Sequence, residues 1–366
     1  MSSNLLQVDD YVEYWAAGYL NMTGGNPFAP DELLPVQLEI GRHEGVPVMM
    51  WNPPFTLAIA MPLALLSYPS SRFLWFLLQM FVIALSASWL WHAFDGPPRN
   101  YWLAWLIAFT FYPTFALLQT GQIGGLLLLG VAGFLFFEGR RRPWVAGMFA
   151  SLTAIKPHLL YLFWIALVLW TISHRRWRVL AGAATTLLGG LMIASIVNPP
   201  VILQYLHAAT SYPPNDWATP TLGGFLRWVF GARYTVLQIL PVSLGFAWLA
   251  VRWWHDGSQW RWIEQMPAVV LVSVLTAAYG WSSDKIVLLV ILIPLAIWLV
   301  TNPPPRIAVL LISASYLMIN LLALVRHGGN NDFEYVWFGP ALLLWYLCVE
   351  WYRSRREKGQ VKVKTV

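Results

Sequence analysis

The sequence predicts an all-α, polytopic integral membrane protein of about 10–12 transmembrane or half-membrane helices. Three observations carry this. Long apolar runs, among them Phe73 to Trp91, Val179 to Val197, Ile286 to Val300 and Ile307 to Val325, divide the chain almost from end to end. About 20 apolar residues cross the ~30 Å hydrocarbon layer of a bilayer, and only helices can satisfy their backbone groups there. The chain is 58% hydrophobic and 11% charged, far from the ~25% charged residues of ordinary soluble domains. Its tryptophans and tyrosines recur at run ends, as at Trp89, Trp91, Trp253, Trp254, Trp260 and Trp262, where interfacial belts need them.

The elements follow in order. Residues 10 to 20 suit a short helix at the membrane surface, which Gly24-Gly25-Asn26-Pro27 ends with turn chemistry. Trp51-Asn52-Pro53-Pro54 opens the membrane part, proline being accepted at a helix start. Helical segments are predicted at 55–67, 72–93, 101–118, 121–138, 143–156, 158–173, 178–197, 234–251, 267–281, 285–300, 306–325 and 335–352. Those at 55–67 and 143–156 are short for a full crossing. The expected division is an extracytoplasmic acidic loop with short helices (1–52), a transmembrane helical domain (53–352) and a basic cytoplasmic tail (353–366). Gly-Gly pairs such as Gly189-Gly190 read as close helix packing.

The formal charge of +6 is no sign of nucleic-acid binding, because the bases cluster at short loops and the tail. Arg140 to Arg142, then Arg175, Arg176 and Arg178, then Arg353 to Lys364 form three clusters, all cytoplasmic by the positive-inside rule. The expected localisation is the cell membrane, as a multi-pass protein in contact with lipid. Residues near 140, 176 and 358 then face the cytoplasm, and 215 and 330 face outward, with loops 119–122, 156–158, 198–233, 279–284 and 326–334 on the outer side. Met1 to Asp10 has neither the basic nor the apolar region of a signal peptide. Cys348 stands alone, so there is no disulfide framework. No metal-ligand spacing or phosphate-loop motif appears, and no cofactor is expected.

Chemistry is to be sought in the polar residues that the apolar background does not explain. Asp10 could take a proton from an attacking hydroxyl, its basicity raised by partial desolvation. A lone loop carboxylate is more often just solvated, but Tyr11, Tyr14 and Trp15 beside it form an aromatic face of the kind sugars stack on. Asp9 and Glu13 read as solvated. Lys156, flanked by apolar residues, either holds an anionic phosphate or snorkels to the interface from a helix end. His158 suits a helix-terminal ring bonded to backbone. Gln122 could bind hydroxyls or satisfy free helix ends. Asp284 could bind substrate or pair with Lys285. Arg326 and His327 read as part of a solvated loop. Asn21-Met22-Thr23 matches a glycosylation sequon, an unspecific pattern.

Several segments resemble the polytopic glycosyltransferases of the GT-C superfamily, most closely the family 87 type. They are Asp10-Tyr11-x-x-Tyr14-Trp15-x-Ala17, Gly24 to Phe28, Trp51-Asn52-Pro53-Pro54-Phe55, Met61-Pro62-Leu63-Ala64, Gly121-Gln122-Ile123, Ile155-Lys156-Pro157 and Tyr279 to Asp284. The resemblance implies transfer of a hexose, typically mannose, from a polyprenyl-phosphate donor to a lipid or glycan acceptor at the outer face. It makes Asp10 similar to the family's catalytic carboxylate and Lys156 a donor-phosphate contact, with Gln122, Tyr14, Asn52 and Asp284 as substrate-binding candidates and no metal ligand. Asn52 stands where the family usually has tyrosine. The family also carries a membrane helix ahead of the acidic loop, whereas this chain starts nine residues before Asp10, which leaves a misassigned start, a lost first helix or a partial gene as alternatives. The rival reading is a transporter or lipid flippase with Lys156 and Asp284 lining its path. Inverted repeats, which such proteins often show, are not visible.

Overall fold

The computed structural model describes residues 9–213, 217–327 and 332–364, with side chains as far as Glu357. The expected outward positions 215 and 330 and the tail side chains Lys358, Lys362 and Lys364 lie outside what is described. All described regular structure is helical.

The chain opens with two short helices, α1 (Tyr11–Thr23) and α2 (Pro30–Glu39). The membrane part follows: α3 (Leu57–Ala64), α4 (Tyr68–Ala93), α5 (Trp102–Thr110), α6 (Tyr112–Thr120), α7 (Gly124–Gly139), α8 (Pro143–Ala150), α9 (Tyr161–Ser173) and α10 (Trp177–Val197). The second half holds α11 (Val201–Ser211), α12 (Leu222–Phe230), α13 (Val236–Asp256), α14 (Trp262–Thr276), α15 (Leu289–Thr301), α16 (Arg306–Val325) and α17 (Phe338–Lys364). Among the described residues, five helical stretches are long and apolar enough to cross a membrane unaided: Tyr68–Ala93, Trp177–Val197, Val236–Gln259, Ser283–Thr301 and Arg306–Val325. Ser283–Thr301 is the most buried and runs through the middle of the bundle, while α16 is the least buried. Leu188, Met192, Ile196, Ile307, Leu310 and Met318 are exposed on their helices, as a lipid-facing surface requires.

The expected segment 101–118 is two helices meeting at 59°. Phe111 is extended, and Pro113 starts a new helix rather than continuing the old one. The amide freed at the break, Tyr112 N, donates to Asn320 Oδ1 at 2.7 Å, which meets the demand for backbone satisfaction inside a bilayer. The last helix, α17, continues from Phe338 to Lys364 and so runs on through the residues expected to form the tail. Within the loop expected at 198–233, α11 and α12 form. Of the Gly189-Gly190 pair, Gly189 is open while a Cβ on Gly190 would lie 3.0 Å from Phe55 O; a tighter helix crossing lies between α8 and α10. There a Cβ on Gly147 would fall 1.9 Å from Val179 O, and one on Gly182 2.1 Å from Trp144 O. Glycine at both positions lets the two backbones touch.

Candidate active site

Four segments far apart in sequence converge where α1, α4 and α7 begin. Asp10 caps the N-terminal end of α1. Gln122 follows the turn that ends α6, a turn made by Gly121 at φ +72°. A Cβ at Gly121 would lie 2.6 Å from Tyr11 Cβ, so this glycine is what lets the turn press against α1. The indole of Trp75 donates to Gly121 O at 2.7 Å and fixes the turn from the α4 side. Lys156 leaves the 3₁₀ turn Ser151–Ile155 after α8. Asp284 lies in the 3₁₀ turn Ser283–Leu288 that leads into α15.

These side chains form one chain of bonds. Gln122 Nε2 donates to Asp10 Oδ2 at 3.0 Å, and Lys156 Nζ donates to Gln122 Oε1 at 3.0 Å and to Asp284 Oδ1 at 2.8 Å. Tyr14 hydroxyl donates to the same Gln122 Oε1 at 3.0 Å, and Trp281 N donates to Asp284 Oδ2 at 2.9 Å. Gln122 therefore stands between the base candidate and the cation, touching both and keeping them from pairing directly. Asp10 is only partly buried, and its Oδ1 makes no hydrogen bond among the described residues. Burial pushes the Asp10 carboxyl above its usual range, opposed by the Gln122 bond and the Lys156 charge and assisted by Asp332.

Asp9 and Glu13 are not solvated. Asp9 pairs with Arg72 at 2.7 Å, and burial outweighs that cation to push its carboxyl up to about 6. Glu13 is buried, and desolvation followed by the Asp10 charge pushes it up to about 8. At neutral pH it is mostly the uncharged acid. Arg72, which sequence reasoning missed, also donates to the carbonyls of Leu118 and Gln119 at 2.9 and 3.0 Å. It ties the start of α4 to the turn that carries Gln122.

Other expectations need correcting. Tyr11, Tyr14 and Trp15 do not present an aromatic face: their exposures are 0%, 2% and 8%, because they pack against Tyr68 and Trp75 of α4. Tyr14 reaches the site through its hydroxyl alone. Asn52 is buried and donates to Ile155 O at 3.0 Å, so it holds the residue before Lys156. Asp284 pairs with Lys156 and not with its neighbour Lys285, whose Nζ is buried without a hydrogen-bond partner among the described residues. His158 is exposed and stands edge-on to Tyr279 at 6.4 Å, with no backbone bond among the described residues. His327 bonds the Tyr112 hydroxyl at 3.1 Å. Asp332, from the loop expected to be solvated, accepts from the Ser282 amide at 2.9 Å and from its hydroxyl. Asn21 is buried against Met61 and Ala194, which removes the sequon from consideration. Partly exposed aromatics do stand around the site, from other segments: Trp217 lies 6.2, 6.1 and 5.5 Å from Trp51, Tyr279 and Trp281. No cluster of three or more His, Cys, Asp or Glu suited to a metal ion occurs among the described residues.

A bundle of apolar helices that carries, at one end, a partly buried carboxylate bridged by an amide to a buried ammonium is the frame of a multi-pass membrane protein. The family model of glycosyltransferase family 87 matches residues 51–325, and the chain belongs to that family. It is a membrane glycosyltransferase. The match takes in Asn52, Gln122, Lys156 and Asp284, while Asp10 and Tyr14 lie ahead of it. Neither a curated protein nor a solved structure matches.

Proposed function

We propose that the chain transfers a hexose, mannose-like, from a polyprenyl-phosphate donor to a lipid or glycan acceptor at the outer face of the cell membrane, with Asp10 as the general base. The observation that carries this reading is the Asp10–Gln122–Lys156–Asp284 chain of hydrogen bonds. Inverting transfer needs a base at the acceptor hydroxyl and a cation at the leaving phosphate, held apart so that neither quenches the other. Asp10 offers one uncommitted oxygen, and Lys156 has used two of the three N–H donors of an ammonium. The acceptor oxygen attacks the anomeric carbon and its proton passes to Asp10. The bond from that carbon to the phosphate oxygen breaks, and the electron pair leaves with the polyprenyl phosphate, whose charge Lys156 meets.

An apolar groove of about 350 Å³ supports a lipid-linked donor. Pro53, Pro54, Phe55, Pro157, Leu188 and Leu191 line it. Pro53 and Pro157 directly follow Asn52 and Lys156, so a prenyl chain lying there would bring its phosphate to the ammonium. Asn52 then acts by fixing the Lys156 backbone, and Asp284 by orienting its ammonium. The test is a transfer assay with the purified full chain, offering labelled hexose on polyprenyl phosphate or on a nucleotide. Product from the lipid-linked sugar alone is expected. Turnover of the nucleotide sugar, with none from the lipid donor, would overturn the donor assignment.

A further inference from the structure

The two helices that start at the Asp10 site, α4 and α7, both end at a second cavity. The 16 residues of α7, which begins just after Gln122 and ends at the cavity, place it roughly 24 Å from the site, at the opposite end of the bundle. Its volume is about 670 Å³, and its lining includes His92, Asp95, Glu138, Arg140, His174 and Arg176, with an aromatic wall of Trp170, Trp260 and Trp262. Arg140 packs on the Phe136 ring at 3.4 Å and Arg176 lies over Trp170 at 5.8 Å. Neither guanidinium has a carboxylate partner among the described residues, and Asp95 and Glu138 have no cationic one, although all four face the same space. Arg261, also in the lining, is already paired with Glu264. The indole nitrogens of Trp260 and Trp262 are buried without a hydrogen-bond partner among the described residues.

The backbone around this cavity is unusual as well. Asp95, Arg141 and Arg175, at φ 54°, 57° and 54°, are the only non-glycine residues in the left-handed region among the described residues. They follow the C-terminal ends of α4, α7 and α9. Each end closes by a bond from the next amide to the carbonyl five residues back: Gly96 to Trp91, Arg142 to Phe137, and Arg176 to Thr171. Glycine normally takes that position because it has no Cβ to clash. Here three charged side chains hold it at a steric cost. Cations at helix C-termini are favoured by the helix dipole, which explains arginines there but not two carboxylates left unpaired across a cavity from them.

We infer that this cavity binds the zwitterionic headgroup of a phospholipid of the adjacent leaflet, a phosphodiester that also carries an amine. Arg140 and Arg176 take the phosphate, as guanidinium groups suit its paired oxygens. Asp95, Glu138 and the aromatic wall take the ammonium. Arg140 Nη1 donates to Phe136 O at 3.1 Å, which leaves its charge unpaired; with two cations and two anions outside any ion pair among the described residues, the site matches a ligand with both signs and no net charge.

The test measures thermal unfolding of the full-length protein in detergent with added phosphatidylethanolamine, phosphatidylglycerol or inorganic phosphate. Phosphatidylethanolamine is expected to raise Tm by several degrees, phosphatidylglycerol by clearly less, and inorganic phosphate not at all. Arg140→Gln/Arg176→Gln should lose the shift. Arg142→Gln/Arg178→Gln, which removes the same charge two residues away from each arginine and outside the lining, should keep it. Asp95→Asn/Glu138→Gln should reverse the preference toward phosphatidylglycerol, and it reads the site independently if the arginine pair fails to fold. Equal shifts from the two lipids, protection by phosphate alone, or a shift retained in Arg140→Gln/Arg176→Gln would overturn the assignment.

Discussion

Two ion pairs flank Asp10, and they differ in what they leave over. Arg72 is committed: it holds Asp9 and two backbone carbonyls of the turn that carries Gln122. Lys156 is less so, since its ammonium contacts Gln122 and Asp284 and nothing else among the described residues. A cation pinned by a carboxylate and two backbone carbonyls is a strut. One with a donor to spare beside an open carboxylate is placed to meet a ligand. By this measure Arg72–Asp9 builds the site and Lys156–Asp284 works in it, with Asp10 between them.

The sharpest way to break this division is Asp10→Asn, which keeps size and one hydrogen bond but removes proton acceptance. Transfer should fall about 10²–10⁴-fold, the usual worth of a general base. Asp9→Asn should leave turnover within a few-fold, although Asp9 is adjacent and also carries a raised pKa. Because burial raises the Asp10 pKa, and the base must be ionised, the acid limb of kcat/KM should lie above the ~4 of an ordinary carboxylate. Wild-type turnover by Asp10→Asn would remove the base assignment.

Next in size is Lys156→Met. The pair is buried on both sides, with side-chain exposures of 9% and 1%, so deleting one partner strands the other charge at a cost of roughly 3–5 kcal/mol. Lost activity in that variant alone would not separate misfolding from chemistry. Lys156→Met/Asp284→Asn restores neutrality, and it should regain expression and Tm while transfer stays low. If the double variant recovers turnover as well as stability, Lys156 is a structural ion like Arg72.

Arg72→Met addresses the other side of the comparison. It should lower stability by about 1–3 kcal/mol, the cost of leaving a half-buried carboxylate and two carbonyls without their donor. The donor KM should hardly change in the folded fraction. A large KM increase at unchanged Tm would place Arg72 among the substrate contacts and undo the contrast.

The same contrast marks what could be read from sequence. Gln122, Lys156 and Asp284 stood out because a polar group in an apolar run demands a reason, and Asp10 because of the aromatic residues beside it; all four meet in the fold. Their pairing was not legible, since the partners are 112, 34 and 128 residues apart. Asp284 shows the limit, with its neighbour Lys285 offered as partner by proximity and Lys156 chosen by the fold. The stripe of Tyr11, Tyr14 and Trp15 was visible, but in a chain rich in aromatics nothing local tells a ligand-facing stripe from one packed on the next helix. Arg72 was passed over because an arginine at the start of a span looks like an interfacial anchor. The break at Phe111 was signalled by Pro113, but Asn320, which makes it tolerable, lies 208 residues away.

The smallest expected effect concerns Glu13, which lies one turn along α1 from Asp10 and makes no bond to either ion pair. Its carboxyl is raised to about 8, first by burial and then by the Asp10 charge. Between about 4.5 and 8 the folded protein keeps a proton there that the unfolded chain releases. The stability linked to this proton is therefore complete below the unfolded value and is lost as pH rises through 8. Glu13→Gln removes the titration and keeps the shape. Wild type and variant should melt together near pH 5 and diverge toward pH 9, with the variant more stable by an amount on the order of a few kcal/mol at most. Asp10→Asn, by deleting the charge that opposes Glu13 ionisation, should lower the Glu13 pKa, so that the divergence is smaller and is complete at a lower pH. Parallel Tm curves for wild type and Glu13→Gln across that range would mean that Glu13 is ionised in the fold, and that a third carboxylate charge acts on Asp10 beside those of Asp9 and Asp332.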